Sequence, residues 1–263
     1  MRSLALAAVL GPLVVASGTS IAFADDVSVL SAGAMRSAVQ EIAASFEKSS
    51  GDHVTLTFGT AGDVAKRITE GQVYDVAIAT KPRLKELETA GKLVPGSIVV
   101  IGRSPIALAV RQGAAKPDIG TVEAVRKTLL AAGSIAYTDP ASGGTSGIHM
   151  AQVLRDLGIA DAVKAKTRLI TGQPGAPPAV GEAVARGAAE IGLQPVSELT
   201  GVAGIEIVGI LPDALQTPAL TYAAGLGTAS ANKPSGAAFV KFLASDAGAQ
   251  VVKSKGLVPG DGR

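Results

Sequence analysis

The sequence contains no cysteine and no tryptophan, and only two histidines, His53 and His149. Without cysteine there are no disulfides, no thiolate metal sites and no thiol nucleophile. Two imidazoles are too few for a histidine-rich metal centre. Aromatic residues make up 3% of the chain, which argues against a stacking platform for bases or sugars. An excess of one charge is also missing. Lys and Arg number 24 against 22 Asp and Glu, a formal net charge of +2. That balance excludes a strongly basic nucleic-acid binder and an acidic tail protein. Apolar residues, by contrast, are plentiful at 47% of 263. They suffice for a buried core in one large or two small domains.

The first segment reads as an address. Arg2 is followed by an apolar run from Leu4 to Val15, and Ala22-Phe23-Ala24 fits an A-x-A cleavage site before Asp25-Asp26. The pattern predicts a signal peptide over 1–24. Its apolar run is short for a bilayer span, and no later stretch reaches spanning length. The expected product is an exported, periplasmic, soluble protein.

Beyond residue 24, strand and helix patterns alternate. Val27-Ser28-Val29-Leu30, Val54 to Phe58, Val76 to Ala79, Ile98 to Ile101 and Ile106 to Val110 read as strands. Between the first two, Met35, Val39, Ile42, Ala43 and Phe46 share one helical face, and Gly51 stops that helix. A second helix is expected after Gly62, with Asp63 as its N-cap. Further helices are expected after Thr121, from Ser146 to Gly158, and over 180–186, 234–244 and 246–255. Further strands are expected at Ile135-Ala136-Tyr137, Ile191-Gly192-Leu193, Ile205 to Val208 and Leu220 to Leu226. This rhythm predicts an α/β protein with mostly parallel sheets flanked by helices.

Four loops of small residues follow strands. They are Ser31-Ala32-Gly33-Ala34-Met35, Gly59-Thr60-Ala61-Gly62-Asp63, the run Asp139 to Gly147, and Thr171-Gly172-Gln173-Pro174-Gly175. In open α/β sheets, ligands bind beyond the carboxyl ends of the strands. Small residues there let backbone N–H groups approach a ligand, and the following helix offers its unpaired N–H groups and positive dipole end to an anion. Thr60, Ser142, Thr145 and Ser146 add hydroxyls, with Gly59, Ala61, Gly144 and Gly147 as the close-approach positions beside them.

Signs of catalysis are thin. Gly144-Thr145-Ser146-Gly147 lacks the nucleophile-elbow spacing, and no phosphate-binding P-loop is present. The carboxylates Asp75, Asp139, Glu182 and Glu190 show no spacing that marks a catalytic pair. Asp139 and Glu190 read as loop and turn supports. A different-class alternative is a secreted serine hydrolase using Ser142 or Ser146 with His149 as base. Arg36, beside the first loop, and Arg103, where the chain would enter a second lobe, are each able to grip a carboxylate with two prongs.

The order of these segments resembles the periplasmic molybdate-binding proteins of ABC importers, within the type II periplasmic-binding-protein fold. The matching pieces are Val27 to Met35, Phe58-Gly59-Thr60-Ala61-Gly62, Tyr74-Asp75-Val76-Ala77-Ile78, Ile135 to Ile148, Ala185 to Gly192, and Phe239-Val240-Lys241-Phe242-Leu243 with Gly256-Leu257. The resemblance implies two α/β lobes, the first built from 25–102 and 225–263 and the second from 103–224. It implies a ligand clamped by hinge closure, a membrane ABC permease as partner, and a monomer that is neither an enzyme nor a cofactor or metal carrier. The small anion would lie among Ala34, Met35, Gly59, Thr60 and Ala61 on one wall. Ser142, Gly144, Thr145, Ser146, Gly147, Gln173 and Gln194 would form the other, with Arg103 as a carboxylate partner. Three positions depart from the molybdate pattern. Ala34 stands where that family has a serine, Thr60-Ala61 replaces a serine-rich loop, and Gln194 falls near a tyrosine position. A hydrogen bond to a charged group is worth roughly 1.5–3 kcal/mol, and micromolar binding needs about 8 kcal/mol in all. The departures therefore leave molybdate or tungstate and a small organic carboxylate as equal candidates.

Overall fold

The computed structural model describes residues 25–172, 179–230 and 233–260. The signal-peptide segment and Gln173 lie outside the described residues. The chain opens with β1 (Asp26–Ala32), α1 (Arg36–Ser50), β2 (His53–Gly59), α2 (Ala61–Thr69), β3 (Val76–Thr80) and α3 (Lys81–Thr89). Next come β4 (Val99–Arg103), β5 (Ile106–Arg111), α4 (Val122–Ala131), β6 (Ile135–Thr138), α5 (Thr145–Asp156), α6 (Ala160–Lys164) and β7 (Thr167–Ile170). Then follow α7 (Val180–Ala185), β8 (Ile191–Pro195), α8 (Val196–Leu199) and β9 (Ile205–Ile210). The chain ends through β10 (Thr221–Leu226), α9 (Lys233–Leu243), α10 (Asp246–Ser254) and β11 (Val258–Pro259).

These strands make two sheets, one ordered β11-β4-β10-β3-β1-β2 and the other β7-β6-β8-β5-β9. In the first, β1 is parallel to β2 and β3, and β10 runs antiparallel between β3 and β4. In the second, β6 is parallel to β7 and β8, and β5 runs antiparallel between β8 and β9. Most strands of each sheet thus share one direction. The reversed strands β5 and β10 each follow a passage between sheets, and a third, β11, sits at an edge. The return passage ends earlier than the sequence suggests. Tyr222 already pairs with Thr80 of β3, so residues 221–224 belong to the first sheet. Two short 3-10 turns, Asp213–Leu215 and Pro218–Leu220, set that boundary.

The elements form for local reasons. All five residues of β3 are buried, as a continuous apolar run in the middle of a helix-covered sheet requires. Helix α1 buries Ala38, Val39, Ile42, Ala43 and Phe46, the face that its spacing announces. Phe46 meets Phe239 and Phe242 edge-on, with ring centroids 5.2 and 5.6 Å apart. This locks α1 to α9, and burying each such side chain is worth about 1.5–3 kcal/mol. Helix α2 begins at Ala61, three residues earlier than expected. Its N-cap is Thr60, and Asp63 is the third residue of a reciprocal capping box.

The two passages between lobes are tied together. Gln216 Oε1 accepts the Ile106 N–H at 2.8 Å, and its Nε2 donates to the carbonyls of Ile106 and Leu211, both at 2.9 Å.

Candidate functional site

The β1–α1, β2–α2, β6–α5 and β8–α8 connections converge between the two sheets. They line one small, tight cleft between the lobes. From the first lobe the wall comprises Ala32, Gly33 and Ala34, then Gly59, Thr60 and Ala61, and Tyr222 of β10. From the second come Thr138, then Gly144, Thr145 and Ser146, and Glu198 of α8. Most of the sequence-chosen residues are therefore brought together: Ala34, Gly59, Thr60, Ala61, Gly144, Thr145 and Ser146 all face one space.

Two helices of nine and twelve residues, α2 and α5, start at this space. Their first-turn N–H groups have no intrahelical acceptor and carry the positive end of the helix dipole. The wall contains no Lys or Arg. An anion here is met by neutral donors. Thr138 adds one more polar group, because its Oγ1 is buried without a hydrogen-bond partner. Among the described residues there is no group of three or more metal-ligating side chains.

The lobes touch at the cleft rim through backbone. A Cβ placed on Gly62 would lie 2.8 Å from the Gly143 carbonyl oxygen, so that approach needs glycine. Beside it, Thr60 Oγ1 lies 3.0 Å from the Ser142 carbonyl oxygen and accepts the Asp63 N–H at 3.0 Å. The Thr60 hydroxyl thus serves the helix cap and the inter-lobe contact. Gly147 is required for a different approach. A Cβ there would sit 2.1 Å from the Thr138 carbonyl oxygen, so its role is to let α5 press against the end of β6.

Other sequence-chosen residues lie elsewhere. Met35 is fully buried in the core beneath the first loop. Ser142 donates its hydroxyl to the Asp139 carbonyl at 2.7 Å and is absent from the cleft wall. Gln194 is buried under the cleft and hydrogen-bonds to the Glu198 side chain. Arg103 is a correction. It ends β4 and lines a separate hollow with Pro105, Asp213 and Gln216, because its strand delivers it to the outside of the passage. Arg36 stacks its guanidinium on the Phe58 ring, 4.1 Å from the centroid. The hydrolase geometry is not formed. His149 Nε2 lies 2.8 Å from the Leu215 carbonyl oxygen, which can only accept, so Nε2 carries the proton. Among the described residues no serine hydrogen-bonds to it. Asp139 and Glu190 do support turns, accepting the N–H groups of Ala141 at 2.9 Å and Gly133 at 2.7 Å.

Sequence reasoning missed Glu198, Tyr222 and Thr138. Glu198 rides on α8, which packs against the Gly33–Met35 turn of the first lobe. Helix α8 is pinned to the passage between lobes. The Val196 N–H donates to the Pro105 carbonyl at 2.9 Å, and the Ser197 and Ser104 hydroxyls are 2.8 Å apart. Burial pushes the Glu198 carboxyl up to about 8; the Gln194 hydrogen bond lowers it, Glu182 raises it and Arg36 lowers it. Burial, with Glu198 nearby, pushes the Tyr222 phenol well above its usual value. Both shifts favour the protonated, uncharged form of each group.

Two α/β lobes joined by tied passages, with a donor-lined cleft between them, define a two-lobed ligand-binding protein. Residues 27–258 match the model of the bacterial extracellular solute-binding proteins, and the chain belongs to that family. An aconitate isomerase from a Pseudomonas species is 34% identical over 258 residues, covering 95% of each chain. The molybdate-binding protein ModA of Azotobacter vinelandii is 29% identical, covering 94% of this chain and 97% of its own. The solved structure of the Azotobacter vinelandii periplasmic molybdate-binding protein superposes with a TM-score of 0.72 at 23% identity, covering 88% of this chain and 98% of that one. That likeness supports the fold. No helix among the described residues is long and apolar enough to cross a membrane.

Proposed function

We propose that this chain is an exported solute-binding protein, working with an ABC permease, whose cleft takes a small organic carboxylate. The observation that carries this choice is the neutral Glu198 carboxyl beside Tyr222 on the cleft wall. A bare tetrahedral oxyanion presents acceptors on every side and is best served by donors alone. A carboxylic acid offers an O–H to a ligand carboxylate and an acceptor oxygen to the rest of an organic molecule. The methyl groups of Ala32, Ala34 and Ala61 on the wall suit a carbon skeleton. The relative named aconitate isomerase points to an organic tricarboxylate. The molybdate-binding relative favours a second reading, an inorganic oxyanion held by the same uncharged donors.

Calorimetry separates the two. Among di- and tricarboxylates such as cis- and trans-aconitate, one is expected to bind with a micromolar constant, about 8 kcal/mol. Molybdate, tungstate and sulfate are expected to bind at least about tenfold more weakly, the loss of roughly one charged hydrogen bond. Molybdate binding more tightly than every organic acid would overturn the carboxylate reading. The variant Arg103→Gln should retain carboxylate affinity within about twofold, as surface changes away from a site do.

A further inference from the structure

The cleft wall holds no Lys or Arg, yet it holds the carboxyl of Glu198. Glu198 Oε2 is shielded from solvent and has no hydrogen-bond partner. A second unpartnered oxygen, Thr138 Oγ1, lines the same space, and Thr138 is 2% exposed. The rest of Glu198 is held firmly. Gln194 of β8 hydrogen-bonds to the carboxyl, and α8 is fastened to the passage at Ser104 and Pro105. The charges acting on Glu198 are Glu182 of α7 and Arg36 of α1, and the Tyr222 phenol of β10 faces it. Among the other elements packed on α8, the Gly33–Met35 turn and β8 carry no charged residue, β5 ends at Arg111, and β9 carries Glu206, which pairs with Lys116 at 2.9 Å.

Resting on the reading of the cleft as an organic carboxylate site, we propose that each ligand carboxylate is bound together with one proton, shared between its oxygen and Glu198 Oε2, and that Glu198 thereby sets the pH range of capture. Two carboxylates in contact repel, and no cation on the wall offsets them, so one of the pair must be protonated. A proton between them turns the repulsion into a short, charge-assisted O–H···O hydrogen bond, stronger than a bond between neutral groups. It also gives Oε2 the partner it lacks. Thr138 Oγ1 and the first-turn N–H groups of α2 and α5 remain for the other oxygens of the ligand. Burial raises the Glu198 carboxyl to about 8. Below that value the proton is already in place, and binding takes nothing from solvent. Above it the empty cleft holds a carboxylate, and capture draws one proton from water. One O–H bond then forms on Glu198, and no other protein bond changes. Affinity is level up to the region of pH 8 and falls toward about tenfold for each further unit.

The test is calorimetry of the intact protein with succinate, tricarballylate and cis- and trans-aconitate. The tightest binder is titrated at pH 7 and pH 9, each in two buffers of different ionisation enthalpy. For the wild type, affinity at pH 9 is expected to be about tenfold below that at pH 7. The difference in heat between buffers should show about one proton taken up per ligand at pH 9 and almost none at pH 7. Glu198→Gln keeps a donor and an acceptor but cannot titrate. It should bind equally well at both pH values and take up no proton. Infrared difference spectra of the wild type at pH 9 should show the carbonyl stretch of a protonated carboxyl appearing with ligand, a readout that decides the question even where Glu198→Gln loses binding. Equal wild-type affinity at both pH values, no proton uptake at pH 9, no such carbonyl stretch, or the wild-type pH dependence persisting in Glu198→Gln would each overturn proton-linked capture and leave the carboxylate site standing. No binding of any organic acid at either pH would bring down the carboxylate reading itself, and the present proposal with it.

Discussion

Two buried carboxyls of this molecule are treated in opposite ways. Asp75, at the start of β3, has one oxygen accepting the Ser28 N–H at 2.7 Å and the Ser28 hydroxyl at 2.8 Å, and the other accepting the Ser230 hydroxyl. It fastens three segments of the first lobe at the end of the sheet away from the cleft. Glu198 lines the cleft with one oxygen unpartnered. A buried acid whose oxygens both accept hydrogen bonds serves to hold the fold together. One shielded from water and short of donors resists ionisation and stays available for chemistry. The difference lies in the neighbours rather than in depth.

Three measurements press on that contrast. The largest effect is expected for Asp75→Ala. It strands the Ser28 N–H and the Ser28 and Ser230 hydroxyls, each losing its buried acceptor at about 1–3 kcal/mol. Chemical denaturation should show a loss of roughly 5 kcal/mol or more, with ligand affinity unchanged in whatever protein remains folded. Next comes the pH dependence at Glu198. Its folded-state value of about 8 lies above the ordinary 4.5, so the native state keeps a proton that the unfolded chain releases. Its contribution is fully present below 4.5 and is lost as pH rises toward 8, at about 1.4 kcal/mol per unit. Between pH 5 and pH 7 the wild type should therefore lose roughly 2–3 kcal/mol relative to Glu198→Gln in paired denaturation curves. Parallel curves would show that Glu198 ionises freely. The smallest effect is expected for Thr138→Val. Removing an unpartnered buried hydroxyl should raise stability by about 1 kcal/mol and weaken ligand binding by calorimetry.

The sequence was informative wherever side-chain type and backbone need coincide. Val39, Ile42, Ala43 and Phe46 announce the buried face of α1. The glycine-bearing runs at 59–62 and 143–147 announce close backbone approaches at the ends of strands, and they do form the rim and wall of the cleft. Thr60 shows the limit of such reading. Its place in a small-residue loop marked it as a ligand donor, whereas Asp63, three residues on, makes it a capping residue. Helix α8 was passed over because four residues carry no periodicity, and Glu198 within it looks like any first-turn acid. Tyr222 sits on a strand with weak boundaries. Only the return of that strand between β3 and β4 brings its ring to the cleft. Arg103 was chosen for its position along the chain, but its strand carries it to the outer side. Helix α6 and the edge strand β7, with its half-exposed residues, left too little pattern to detect.

The meeting of Gly62 and Gly143 has a consequence for how ligand preference can change. At those two positions the halves are pressed together by bare peptide groups, which discriminate among no solutes. Selectivity must then be written on the inner surface, in side chains such as Ala34, Thr138 and Glu198. Exchanging any of these would alter what is captured while leaving the shut geometry, and so the shape offered to a docking partner, the same.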